Sequence, residues 1–170
     1  MQRNAVVTGC SVGLGRATAL RLARGGWRVF AGVRSGADAD ALLKEDVGSG
    51  RIEAVQLDVR DRTAIEAARA YVAPRIADEG LHALVNNAGL AVIQPIEFAS
   101  EENLSHQLGV NVLGPIWLIQ AFLPALRSAR GRIVNVTSGV TKVTQPFTGL
   151  YAASKAALDQ TAILRSPWRP

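Results

Sequence analysis

The sequence predicts a three-layer α/β fold built on a doubly wound parallel sheet, and three observations predict it. Short apolar runs alternate with stretches of helical period, the order expected when each strand is followed by a helix that crosses back over the sheet. The runs are continuously apolar, as strands covered on both faces require. The chain has 170 residues, which is one domain's worth.

Each element follows in turn. Residues 5–7 form a short buried strand that ends in a glycine-rich turn. Residues 13–24 read as a helix with Ala17, Leu20, Leu22 and Ala23 on its apolar side, stopped by Gly25-Gly26. Residues 28–33 are a second strand, 37–44 a short helix, and Gly48-Ser49-Gly50 a loop. Residues 52–57 are a third strand. Residues 62–78 are a long helix, with Ile65, Ala68, Tyr71, Val72 and Ile76 near helical spacing. Residues 82–85 are a fourth strand that ends in Asn86-Asn87-Ala88-Gly89. Ser100-Glu101-Glu102-Asn103 has the acids of a helix entry. The helical region behind it reaches about residue 127, with an interruption expected near Gly114-Pro115. Residues 132–136 are a fifth strand, and 150–164 open as a sixth helix. Parallel sheets of this kind bind ligands beyond the carboxyl ends of their strands, so the chemistry is expected just after each one.

Composition excludes several classes. Hydrophobic residues at 48% and charged residues at 19% exclude a disordered polyelectrolyte. The apolar stretch 110–126 is broken by Gly114, Pro115, Gln120 and Pro124, so no membrane span is predicted. The first apolar run ends at Thr8-Gly9, too short for a secretory leader. Cys10 is the one cysteine, which excludes an intrachain disulfide and a cysteine-based zinc site and makes a cytoplasmic chain the expectation. With His82 and His106 as the histidines, no metal site is predicted, and both are read as structural. The formal charge is +5, but the arginines are scattered and aromatics make up 5%, so no nucleic-acid partner is predicted.

The turn Thr8-Gly9-Cys10-Ser11-Val12-Gly13-Leu14-Gly15 joins the first strand to the first helix. Glycines there permit a tight turn, close approach of a phosphate, and close packing of helix on strand. The helix N-terminus adds free N–H groups and positive partial charge. An ordinary glycine turn is the other reading, and the placement between strand and helix favours the phosphate site. Cys10 is read as a small filler. The second strand ends Val33-Arg34, with Val33 where an acid would favour NAD(H); a guanidinium at this edge can pair with a ribose 2′-phosphate. NADP(H) is therefore the expected cofactor and NAD(H) the alternative; the other reading of Arg34 is a side chain that simply points to water. Tyr151 and Lys155 lie four apart at the start of a helix and share one face. An ammonium beside a phenol favours the phenolate, the setting for acid–base work.

Four motifs, in order, resemble the short-chain dehydrogenase/reductase family: the glycine turn, Asn86-Asn87-Ala88-Gly89, Ser138, and Tyr151-Ala152-Ala153-Ser154-Lys155. The spacing of Ser138 from Tyr151 matches too, and the resemblance runs from Ala5 to about Gln160. The wording of residues 80–89 and 129–136 is similar to the retinol and hydroxysteroid dehydrogenase branch. The resemblance implies a Rossmann-like domain over 1–160, incomplete at its C-terminus and followed by an atypical tail over 161–170. It implies hydride transfer between the cofactor and an alcohol or carbonyl, with an apolar substrate. Tyr151 would exchange the proton, Lys155 would hold the nicotinamide ribose, Ser138 would orient the substrate oxygen, and Asn111 would support the lysine through water. The cofactor would be lined by Gly9, Ser11, Val12, Gly13, Leu14 and Gly15, by Arg34, by Asp58 at the adenine with Val59, by Asn87, Ala88 and Gly89, and by Asn111, Tyr151 and Lys155. Singly, these admit structural readings: Tyr151 as a core aromatic, Lys155 as a solvated lysine, Asn111 as a cap, Ser138 as a turn former, Asp58 as a loop-entry acid. As a set they point to a dehydrogenase.

The family sheet has seven strands, and five are legible here. Pro167 and Pro170 would end the sixth helix, and the tail reads as an abrupt truncation or a changed frame. An unpaired apolar edge at the fifth strand is expected. The other function considered is an inactive cofactor-binding or interaction remnant. A homo-oligomer through the helices after the fourth and fifth strands also fits the family.

Overall fold

The computed structural model of the protein describes residues 2–45, 47–48, 50–77, 79–143 and 145–161. Five strands, β1 (Asn4–Val7), β2 (Arg28–Val33), β3 (Arg51–Gln56), β4 (Ala83–Asn86) and β5 (Arg132–Asn135), form one sheet in the order β3-β2-β1-β4-β5. Every pairing is parallel. Both neighbours of β1 are reached by crossovers in opposite directions, so the sheet is doubly wound and a crevice opens beyond the carboxyl end of β1.

Among the described residues α1 (Gly13–Arg24), α2 (Gly36–Leu43), α3 (Arg62–Val72), α4 (Glu101–Leu108) and α5 (Gly114–Ser128) lie between the strands, and α6 (Gly149–Thr161) follows β5. Alternation along each strand sends side chains to two cores. Val6 and Phe30 pack with Ile65 and Val72 of α3 and Leu118, Phe122 and Leu126 of α5. Val7, Val29, Ala31 and Val33 pack with Ala19, Leu20 and Ala23 of α1 and Leu42 of α2. Burial of such side chains contributes about 1.5–3 kcal/mol each, and both faces of β1 and β2 are covered, as their unbroken apolar runs require.

Three differences from the sequence reading have physical causes. The third helix stops at Val72 and passes into a tighter 3-10 turn over Ala73–Arg75, because Pro74 cannot continue the α hydrogen bonding. The expected interruption near Gly114-Pro115 lies upstream, as a π-turn over Gly109–Leu113. Gly114 and Pro115 instead open α5, where proline's missing N–H costs least, and Pro124 is carried inside α5. The helical stretch Glu101–Ser128 is thus 28 residues long and, by length and composition alone, apolar enough to cross a bilayer. In this fold its Leu118, Ile119, Phe122 and Leu126 belong to the core. Residues 162–164 of the expected sixth helix, with the Pro167 and Pro170 stops and the tail from 162 on, lie outside the described residues.

Candidate active site

The glycine turn is sewn to the strand ends on both sides. Thr8 N–H donates to the Val85 carbonyl at 3.0 Å and Cys10 N–H to the Gly32 carbonyl at 2.9 Å. Gly9 (φ +70°) and Gly13 (φ +62°) occupy the left-handed region that side chains disfavour. A Cβ on Gly15 would overlap the Gly9 carbonyl oxygen and Asn87 Nδ2, so only glycine lets α1 lie this close to the turn. Asn87 Nδ2 donates to the Thr8 and Gly9 carbonyls at 2.9 and 3.3 Å. Thr8 Oγ1 accepts from Asn87 N–H and Ala88 N–H at 3.0 and 2.9 Å. The fourth strand's end thereby fixes the shape of the first strand's turn.

The residues present fit a dinucleotide. Val12 caps α1 with no side-chain hydrogen bond, and the helix has no acid in its first turn and Arg21 and Arg24 in its last. Space beside Gly13 is open, and Val12 and Leu14 project 75% and 71% exposed. Ser11, at the rim, gives its carbonyl to Arg16 Nη1. The helix N-terminus is left free for an anion. Cys10 is fully buried and its Sγ donates to the Val7 carbonyl; burial pushes the thiol up to about 12, which makes it inert filler as expected.

Arg34 stands exposed just beyond β2, and Asp58 lies just beyond β3. Arg60 Nη2 donates to Asp58 Oδ2 at 3.0 Å and Arg60 N–H to Oδ1 at 2.9 Å. The Arg60 hydrogen bond holds the Asp58 carboxyl below its ordinary range against partial burial, and the Arg34 charge adds to this. Asp58 is therefore an ionised acceptor at neutral pH. Val59 is buried, and its carbonyl and side chain sit where a Cβ on Gly114 would go.

Beyond β4 and β5 several of the candidate site residues converge. Asn111 sits fully buried in the π-turn, a backbone feature often found at functional sites. Its Nδ2 donates to the Leu90 carbonyl at 2.8 Å and to Ser154 Oγ at 2.9 Å, and its Oδ1 accepts from Leu90 N–H at 3.0 Å. Ser154 Oγ donates to the Tyr151 carbonyl at 2.8 Å. Lys155 is buried, its Nζ donates to the Val136 carbonyl at 2.8 Å, and burial lowers its pKa from the ordinary lysine value. A Cβ on Gly89 would lie 3.1 Å from Lys155 Nζ and 3.4 Å from Asn111 Oδ1. Gly89, Asn111 and Lys155 are thus drawn together, with half-buried Tyr151 one turn before Lys155 on α6. Ser138 heads the short 3-10 turn Gly139–Thr141; its Oγ accepts from Val140 N–H at 3.4 Å. Arg34 and Asp58 lie away from this cluster, across the glycine turn.

Several contributors were not singled out from sequence. Thr8 stands inside the turn motif, but nothing in the motif says that its hydroxyl gathers Asn87 and Ala88. Gln107 is fully buried and its Oε1 accepts from Val92 N–H; its position one turn before Asn111 was the available signal. Ser154 stands within the Tyr151–Lys155 motif. The two histidines take structural contacts, as expected: His82 Nδ1 accepts from Asn4 N–H at 3.3 Å, and His106 Nδ1 lies 2.8 Å from Arg60 Nη1.

Fold and site together describe a doubly wound parallel α/β domain with a glycine turn at the carboxyl end of β1 and Gly89, Asn111 and Lys155 gathered at the same edge of the sheet. The short chain dehydrogenase family matches residues 3–165, and the chain belongs to that family. It is similar to mouse retinol dehydrogenase 5, with 37% identity over 154 residues, covering 90% of this chain and 48% of that protein. Human 17-beta-hydroxysteroid dehydrogenase type 6 is 39% identical over 154 residues, covering 90% and 48%. The chain spans about half the length of these curated relatives. Among solved structures, an alcohol dehydrogenase from Thermococcus sibiricus complexed with 5-hydroxy-NADP superposes with a TM-score of 0.85 at 32% identity, covering 95% of this chain and 68% of that one. A metagenomic short-chain oxidoreductase in complex with NADP gives 0.85 at 32%, covering 94% and 72%.

Proposed function

We propose that this chain carries the cofactor and proton-transfer machinery of an oxidoreductase that interconverts an alcohol and a carbonyl with NADP(H), on an apolar small molecule. The observation that carries the reading is the convergence of Gly89, Asn111 and Lys155 beside Tyr151, at the same edge of the sheet as the open glycine turn. Residues 1–160 are the dinucleotide-binding unit in this reading and 161–170 a tail.

The turn residues Gly9, Ser11, Val12, Gly13, Leu14 and Gly15 would hold the pyrophosphate on the N-terminus of α1. Arg34 would pair with the 2′-phosphate, and Asp58, kept ionised by Arg60, would accept from the adenine amine beside Val59. Asn87, Ala88 and Gly89 form the floor, where the lack of a Gly89 side chain leaves room next to Lys155. When bound, NADPH supplies the hydride. Ser138 Oγ orients the substrate oxygen, and Tyr151 donates the proton that completes the alcohol or removes it in the reverse direction. Lys155 would hold the ribose hydroxyls, and Asn111 fixes the loop that carries Gly89. NADP-bound structures of similar chains support the cofactor class, and the names of the retinol and hydroxysteroid dehydrogenases support an apolar substrate.

The test is NADPH oxidation by the purified chain over a panel of apolar ketones and aldehydes, alongside Tyr151→Phe. Substrate-dependent oxidation abolished in the variant, with NADPH binding intact, is the expected result. Turnover retained by Tyr151→Phe contradicts the role given to Tyr151. Cofactor binding without turnover on any carbonyl favours the inactive remnant.

A further inference from the structure

Tyr151, Ser154, Lys155 and Leu158 follow one another along a single face of α6. Leu158 is there as a buried apolar side chain. Ser154 is fully buried too, yet a serine in a helix interior adds neither apolar area nor helix propensity. Its hydroxyl instead makes two bonds of fixed direction. The single proton goes to the Tyr151 carbonyl at 2.8 Å. Toward Asn111 the oxygen can then only accept, and Asn111 Nδ2 donates to it at 2.9 Å.

This bond helps decide which way the Asn111 amide points. Both Nδ2 protons are used, one on Ser154 Oγ and one on the Leu90 carbonyl at 2.8 Å. Oδ1 is left on the other side, where it accepts from Leu90 N–H and lies 3.4 Å from the point a Gly89 Cβ would occupy. Lys155 Nζ lies 3.1 Å from the same point. The oxygen end of the amide therefore borders the space beside the lysine ammonium. Turned over, the amide would set its oxygen against the Leu90 carbonyl and against a hydroxyl whose proton is already spent.

Lys155 depends on such neighbours. Its Nζ donates to the Val136 carbonyl at 2.8 Å, and no carboxylate pairs with it among the described residues. Asp159, the acid of its own helix, is drawn to Lys142 at 3.9 Å, and Tyr151 is the other titratable group on α6 besides Lys155 itself. The end of β5, the π-turn and residues 87–90 carry no titratable side chain. A buried ammonium faced by neutral groups responds to which end of each dipole it meets. We propose that Ser154 is a positioning residue: by holding the Asn111 amide in one orientation against α6, it keeps an oxygen rather than an NH2 beside the Lys155 ammonium. The consequence for catalysis rests on Lys155 belonging to the cofactor site.

The test is the titration of Lys155 by NMR in the full chain, with isotope-labelled lysine read at Cε. The lysines are Lys44, Lys142 and Lys155, and Lys155→Met identifies the Lys155 signal by its loss. Ser154→Ala removes the hydroxyl, Ser154→Cys replaces it by a weak thiol of similar shape, and Ser154→Thr keeps it. The expected result is a Lys155 midpoint lower by about 0.5–1 pH unit in Ser154→Ala, the equivalent of one hydrogen bond. Ser154→Cys should fall in the same direction and Ser154→Thr should match wild type, with Lys44 and Lys142 unmoved in all three. An unchanged midpoint in Ser154→Ala and Ser154→Cys, whatever their loss of stability, refutes the positioning role. So does an equal fall in Ser154→Thr. Adding NADPH to wild type should give a saturable change in the Lys155 signal; its absence refutes the site reading, while the midpoints still decide the contact with Asn111.

Discussion

At the scale of single residues, the site depends on groups that protein packing alone would not choose. Lys155 is buried, its Nζ donates to the Val136 carbonyl, and no carboxylate pairs with it among the described residues. Desolvation lowers its folded pKa below the ordinary 10.5. Between the lowered and the ordinary value the unfolded chain binds more protons, so stability rises as pH climbs through that window. Urea midpoints of wild type and Lys155→Met measured from pH 7 toward 10.5 should show wild type gaining on the variant with pH; a constant difference would contradict a depressed lysine. Gly15 is the sharpest steric case. Gly15→Ala places a methyl into the Gly9 carbonyl and Asn87 Nδ2. It should lower chain stability by about 1–3 kcal/mol, read from urea midpoints, and weaken NADPH binding. Tyr151, Lys155, Ser138 and the glycine turn were legible in sequence only as an ordered set at fixed spacings, since each taken singly admits a structural reading. Thr8, Gln107 and Arg60 were not, because their roles are hydrogen bonds to residues distant in sequence, which no local pattern encodes.

At the scale of elements, the π-turn is the feature that sequence could only approximate. Gly114-Pro115 signals a disturbance, and proline alone would place it there. The structure moves it to Gly109–Leu113 because the extra residue turns Asn111 inward, toward Leu90 and Ser154. Gly114 serves packing instead: a Cβ would meet the Val59 carbonyl at 2.6 Å. Gly114→Val should therefore destabilise the chain by about 1–3 kcal/mol, measured by thermal or urea unfolding. It should also disturb the Asp58–Val59 edge, with NADPH affinity falling more than that of a mononucleotide fragment that reaches only the nicotinamide side. β1 and β2 were legible to within a residue because strands covered on both faces have no polar face. The end of α3 was misplaced because Ile76 keeps the helical spacing past Pro74 while the backbone does not.

At the scale of the whole molecule, topology explains why the motifs fall together. Their carriers are the ends of β1, β2, β3, β4 and β5, and a parallel sheet brings all of those ends to one edge. The sheet stands on its central core. Leu118→Ala, at a fully buried position, should cost about 2–5 kcal/mol in unfolding free energy; a loss below 1 kcal/mol would mean α5 is not seated as described. Among the described strands β5 pairs with β4, and its Val134 is 48% exposed. The central claim is that the glycine turn and Arg34 form a working NADP(H) site, and its most direct test is a thermal-shift titration of the chain and of Arg34→Ala with NADPH and NADH. The account predicts a saturable stabilisation by NADPH that exceeds that by NADH, and an NADPH affinity about 10- to 100-fold weaker in the variant with NADH little changed, the scale of losing charge-assisted hydrogen bonds to a phosphate. No shift with either nucleotide, or equal losses for both in Arg34→Ala, would contradict it.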